Sequence, residues 1–266
     1  MSKYQNEEEV LLNYNSNKYV TPDGYTSDIA VFTIVDDEEK ENQKKSSKKN
    51  KVLKIMLIQR ATLDAEGEPN IEGGKWALPG GFVQSDETAY QAAKRELVEE
   101  TGVQGIHLQH FGVYDKPGRD RRGWIISNAH YAIVPEFHLK KRKAADDAAQ
   151  VELFTMEEAF DLELAFDHRE IITTALNHIK RDMMQTDIAK EFLPEVFTVS
   201  ELQQVLLAVY YHTSIASDNF FKKIKNLPFI EKVSRKGEKT QRNSKRPANL
   251  YKFVEEEEDE IASKYF

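Results

Sequence analysis

Apolar and polar positions divide the chain into a strand-rich first half and a helical second half. Two β-branched apolar runs, Asp28–Val35 (DIAVFTIV) and Val52–Arg60 (VLKIMLIQR), read as strands. Residues 36–51 between them contain no apolar side chain. Such a segment buries nothing to offset its ordering entropy, so a long, mobile, charged hairpin loop is predicted. A Gly-rich acidic loop follows, holding one short apolar piece, Trp76–Leu78. The spacing then predicts a helix from about Asp86 to Thr101, capped by Ser85 or Asp86 and stopped by Gly102. Strand patterns recur near Val103–Tyr114 and Trp124–Val134. Strands around a single helix suggest a mixed sheet with helices packed on it.

Beyond Val151 the period becomes helical. Asp167 and Glu170 form a capping-box pattern, and Ile171, Ala175, Leu176 and Ile179 follow at helical spacing. Leu193–Phe197 is a break. Thr198 and Glu201 then open a second helix with Leu202, Val205, Leu206 and Val209 on one face. A domain boundary is expected near Glu191–Phe197, and no internal repeat is present.

Composition narrows the classes. The 266-residue chain has no cysteine, which excludes disulfides, zinc thiolates and a cysteine nucleophile. No apolar run approaches a membrane span, and the amino terminus lacks the apolar stretch of a secretory signal, so a cytoplasmic protein with no membrane partner is expected. The net charge of −8 is unevenly distributed. Ser217 to Lys252 holds eleven basic and three acidic residues, a charge of +8, so the remainder carries −16. A basic module on an acidic body is a hint of nucleic-acid contact, the alternative being a solvated lysine-rich face.

The chemistry concentrates between Gly80 and Val103 (GGFVQSDETAYQAAKRELVEETGV). Residues three and four apart share a helix face, so Glu96 lies beside Glu99 and Glu100. Converging carboxylates repel unless cations sit between them, and hard oxygen ligands suit Mg²⁺ or Mn²⁺. Arg95 can reach back to Glu87, and Pro79, Gly80 and Gly81 permit a tight turn whose carbonyl faces the metal. The full spacing from Gly81 is G-x5-E-x7-R-E-U-x-E-E-x-G-U, with U apolar. Average residue frequencies give a chance match on the order of 10⁻⁷ for a chain this long, which sets a merely solvated helix aside.

This signature resembles that of the Nudix hydrolases of nucleoside diphosphates linked to another moiety. The resemblance implies an α+β fold, an α/β/α sandwich around a mixed sheet. It also implies metal binding through Gly81, Glu96, Glu99 and Glu100, with Arg95 and Glu87 as a supporting pair. Metal-lowered water pKa and a neutralised diphosphate would then permit in-line attack at phosphorus. Glu136 and Glu152 are candidates for the general base by position alone.

Pro117 stands where ADP-ribose-type members commonly have a proline, which makes ADP-ribose the first substrate expectation. Arg119, Arg121 and Arg122 are candidate phosphate grips, the alternative being an exposed basic loop. Trp76, Tyr114 and Trp124 are candidates for stacking on a base or for core packing.

In the carboxy-terminal part, the capped helix, a short helix at about Ser217–Asn226, a basic loop and short strands outline a winged helix. LAFDHREI, FTVSELQQV, DNFFKKI and RPANLY together resemble the Nudix-related transcriptional regulators of NAD metabolism. That resemblance places Asn219, Lys222, Lys223 and Arg246 near double-stranded DNA in a homodimer. The expected organisation is a Nudix domain over residues 1–192, with the insertion at 36–51 and helices over 155–190. A winged helix over 193–254 and an acidic tail over 255–266 complete it. The unbroken signature puts hydrolysis of ADP-ribose to AMP and ribose 5-phosphate first, and an ADP-ribose-responsive DNA-binding regulator second.

Overall fold

The computed structural model describes residues 3, 6–15, 18–37, 51–102, 106–135, 151–185, 188–209, 230–233 and 248–254. The first apolar run becomes β1 (Gly24–Asp36), and the second becomes β2 (Lys51–Gln59). They pair antiparallel from Val31↔Met56 to Asp36↔Lys51, and a 3.1 Å ion pair between the last two side chains closes the stem of the 36–51 insertion. Residues 38–50 of that insertion lie outside the described residues.

β3 (Trp76–Ala77), β4 (Gly80–Phe82), β5 (His107–Tyr114), β6 (Ile125–Ile133) and β7 (Val151–Thr155) complete a sheet of order β3-β2-β1-β6-β5, with β4 on β1 and β7 on β2. β1 and β6 run parallel and the remaining pairs antiparallel, so the sheet is mixed as expected. β1 carries β6 along one side. On its other side it carries β4 at Thr26–Asp28 and β2 only from Val31 onwards. That division brings the Pro79–Phe82 turn against the first half of β1.

Both sheet faces are covered, which is why β1 reads as an unbroken apolar run rather than an alternating one. Ile29 and Val31 face α2 (Ala89–Thr101), which docks through Ala93 and Leu97, four residues apart on one stripe. Ala30, Phe32 and Ile34 face the other way, into a cluster with Ile171, Ala175 and Ile179 of α4 (His168–Gln185). α3 (Met156–Asp161) precedes α4, and α1 (Glu7–Leu12) buries no residue.

The start of α2 differs from the sequence expectation. Thr88, not Ser85 or Asp86, is the cap, and its hydroxyl and the Gln91 amide satisfy each other's backbone N–H groups. Gly102 ends the helix in the left-handed conformation (φ 67°), as expected. A second difference lies at α4, where the Asp167 carboxylate bonds a distant arginine rather than serving the helix start.

The cap at Thr198 and Glu201 forms as expected, with bonds of 2.7 and 3.2 Å. It opens α5 (Val199–Val209), whose Leu202, Val205 and Leu206 join the same apolar cluster as α4. β8 (Ile230–Lys232) and β9 (Tyr251–Phe253) pair antiparallel, and Phe197 bridges Tyr251 through two 2.8 Å backbone bonds. Among the described residues no helix is long and apolar enough to cross a membrane.

Candidate functional site

The turn before α2 is built on close approach. Gly80 adopts φ +156°, and a Cβ there would press on the Ser27 carbonyl and Asp28. A Cβ on Gly81 would run into the Glu96 carboxylate, so only glycine lets that acid lie against the turn. With Ala93 and Leu97 directed at the sheet, Arg95, Glu96 and Glu99 occupy the free side of α2.

Arg95 organises this side. Its Nε and Nη2 donate to Glu87 at 3.1 and 2.6 Å, and Nη2 also donates to the Phe82 carbonyl at 3.1 Å. Its Nη1 donates to Glu96 at 2.6 Å and Glu99 at 3.1 Å. All five guanidinium donors are therefore used. Arg95 holds the Glu87 carboxyl below the usual range, helped by the Gln84 N–H, while Glu87 and Glu96 raise the arginine's own pKa. Glu99 is the open member, its side chain 56% exposed against 13% for Glu96.

Arg95 takes one oxygen of Glu96 and one of Glu99 and, among the described residues, leaves the second oxygen of each without a bond. Two free carboxylate oxygens beside a glycine turn fit a hard divalent cation. Among the described residues no three acidic or imidazole groups already enclose a common point, and the Glu100 side chain lies outside them.

The arginines expected to grip phosphate are not equivalent. Arg119 is buried, 4% exposed, and donates to both Asp167 oxygens at 2.7 and 2.6 Å. Asp28 lies 3.5 Å from it and also accepts from Ser127 at 2.5 Å. Burial alone would lower the Arg119 pKa, but Asp167 and Asp28 outweigh it and raise the value. Arg119 is thus a structural ion pair behind the turn rather than a surface grip. Arg121 is 83% exposed, 3.9 Å from Glu72. Arg122 pairs with buried Asp120 and keeps 31% exposure. Trp76 is a half-buried strand residue packed edge-on against Phe154 at 4.7 Å, the core-packing alternative of the two expected for it. Tyr114 packs on the core beside Phe111, their ring centres 6.3 Å apart, and Trp124 remains partly exposed.

Asp28 and His168 were missed by sequence reasoning. Fully buried His168 accepts the Leu78 N–H on Nδ1 at 2.9 Å, and its Nε2 lies 3.9 Å from Asp28. Burial holds this imidazole below its usual pKa, in the neutral form that an accepting Nδ1 requires. The only signal was the acid and imidazole of the FDHRE segment, and nothing local reveals partners ninety residues away. Glu152 is exposed on β7, and Glu136 lies outside the described residues, as do Asn219, Lys222, Lys223 and Arg246.

Comparison with known proteins extends this geometry. The NUDIX domain family matches residues 16–175, and the NrtR DNA-binding winged helix domain matches residues 189–253. The chain is 27% identical to the ADPR responsive transcriptional repressor NtrR of Acinetobacter baylyi, over 96% of this chain and 92% of that one. It is 41% identical to the ADP-ribose pyrophosphatase of Methanocaldococcus jannaschii over 119 residues, 45% of this chain and 63% of that one. A solved mutT/nudix family protein from Listeria innocua is 51% identical, covering 63% of this chain and 100% of that one, with a TM-score of 0.55. A glycine turn that admits Glu96, an arginine saturated by signature acids and the turn's own carbonyl, and these matches agree: the chain belongs to the Nudix family and continues into a winged-helix domain of the NrtR type.

Proposed function

We propose that the protein is a DNA-binding transcriptional regulator that responds to ADP-ribose and acts as a homodimer. The observation that carries this reading is the similarity to a repressor along 96% of the chain, winged helix included. It reverses the order in which the sequence alone ranked the two functions. The basic module from Ser217 to Lys252 supplies phosphate contacts through Lys222, Lys223 and Arg246, with Asn219 beside them. In fluorescence anisotropy the full chain should bind duplexes from its own genomic neighbourhood with a steep salt dependence. ADP-ribose should change that affinity, and binding that ignores ADP-ribose at every salt concentration would reject the reading.

A second reading is favoured by the unbroken signature: the same domain hydrolyses ADP-ribose. Glu96, Glu99, Glu100 and the Gly81 carbonyl would hold Mg²⁺ or Mn²⁺, which supplies charge neutralisation and an acidified water. Glu87 and Arg95 hold the acids in place by tying the turn to α2. Arg121 and Arg122 are the remaining cations for a diphosphate, since Arg119 is spent on Asp167. Water adds to phosphorus, the bridging P–O bond breaks, and AMP and ribose 5-phosphate leave. Chromatography of ADP-ribose incubated with protein and Mg²⁺ tests this, with Glu99→Gln as the silent control.

A further inference from the structure

One group beside the signature turn has rings that neither function uses, although Arg122 among them is also a cation within reach of a diphosphate. Phe82, Arg122, Phe166 and Arg60 form an alternating series of rings and guanidinium groups. The Arg122 guanidinium carbon lies 5.1 Å from the Phe82 ring centre and 5.1 Å from that of Phe166, and Arg60 lies 5.1 Å from Phe166. Each contact is in the range of a cation–π attraction. Asp120 fixes Arg122 through Nε at 3.0 Å and Nη2 at 2.6 Å, and among the described residues Nη1 makes no hydrogen bond.

Two features mark the series as more than packing. Phe166 sits at φ +50°, a left-handed conformation that side chains rarely adopt. Such strain gathers at functional sites. Phe82 is 47% exposed, although Arg122 flanks its ring and the absent Cβ of Gly24 makes room for the ring edge.

The position sets what would bind. Successive strand residues point to opposite sheet faces, so Gly81 meets Glu96 on one face of β4 and Phe82 stands on the other. β4 has three residues, and among the described strands it pairs only with β1, so no strand covers its outer edge, where Arg95 meets the Phe82 carbonyl at 3.1 Å. A ligand whose diphosphate lies at the acids reaches Phe82 by crossing that edge. A purine, wide and flat, covers the exposed ring better than a sugar does.

We propose that Phe82, backed by Arg122 and Phe166, is the platform on which the nucleobase of a two-lobed nucleoside diphosphate stacks, with Arg122 Nη1 donating to the ligand. The inference deepens the ADP-ribose reading and rests on it.

Calorimetric titration of the full chain with ADP-ribose and with inorganic pyrophosphate, with and without Mg²⁺, is the test. Base–aromatic stacking is worth about 1–3 kcal/mol, so Phe82→Ala should lower the preference for ADP-ribose over pyrophosphate roughly tenfold. Phe82→Tyr should restore that preference to within about twofold, because the stacking face is kept. Arg122→Lys, which keeps charge but loses the flat fork, should lower it several-fold. An unchanged preference in Phe82→Ala, or equal losses for both ligands, overturns the platform alone. Wild-type protein that takes up no ADP-ribose in either buffer overturns the ligand and the platform together.

Discussion

Arg95 and Arg119 are both held by carboxylates, yet they lie on opposite faces of one sheet and in opposite surroundings. Arg95 is 24% exposed and meets Glu87, Glu96 and Glu99, of which Glu99 is open to solvent. Arg119 is 4% exposed and meets Asp167 and Asp28 in the interior. The pairing chemistry is the same, and solvent access separates the roles. An acid that keeps a free oxygen at the rim can exchange one cation for another. An acid bonded through both oxygens inside the fold can only hold position.

The largest effect should come from the interior. Arg119→Met leaves Asp167 and Asp28 buried without their cation, and should cost about 3–5 kcal/mol in chemical denaturation. An unaltered denaturation midpoint would place that pair among the dispensable ones. At the rim the balance inverts. On the hydrolase reading, Glu99→Gln should reduce ADP-ribose turnover on the order of a hundredfold or more by weakening cation binding. Its exposed side chain should leave stability within about 0.5 kcal/mol. Comparable stability losses in both variants would erase the distinction.

A pH titration sharpens it further. Burial, then the nearby His110, depresses His130 from 6.5 to about 4 in the folded chain. The neutral form belongs to the fold, so this stability is complete above about pH 6.5 and falls as pH drops towards 4. The loss should reach at most roughly 3 kcal/mol, and His130→Gln should flatten it in urea melts between those limits. The smallest effect is expected at the domain junction. Thr198→Ala removes the α5 cap and should cost about 1 kcal/mol, visible as a modest shift in midpoint.

The elements that do the chemistry were legible where the signal was local. β1 and β2 announce themselves by β-branched runs, and α2 by the spacing from Ala93 to Gly102. The cap was ambiguous because Ser85, Asp86 and Thr88 are all acceptable, and only Gln91, reciprocating from three residues beyond Thr88, selects one. The same pattern at Thr155 and Glu158 caps α3 and was overlooked. Arg119 looked like a phosphate grip because its partner, Asp167, is 48 residues away and carried a plausible local role as a helix cap. Nothing local marks Phe166 as left-handed.

The central claim is that one chain joins an ADP-ribose site to DNA binding. Anisotropy of a labelled duplex from the protein's own genomic neighbourhood, titrated with the full chain with and without ADP-ribose, addresses it most directly. The account predicts salt-sensitive binding whose midpoint moves when ADP-ribose is added, by a factor within the roughly 5–150-fold range of coupled sites. Superimposable curves, or no binding even at low salt, would contradict it.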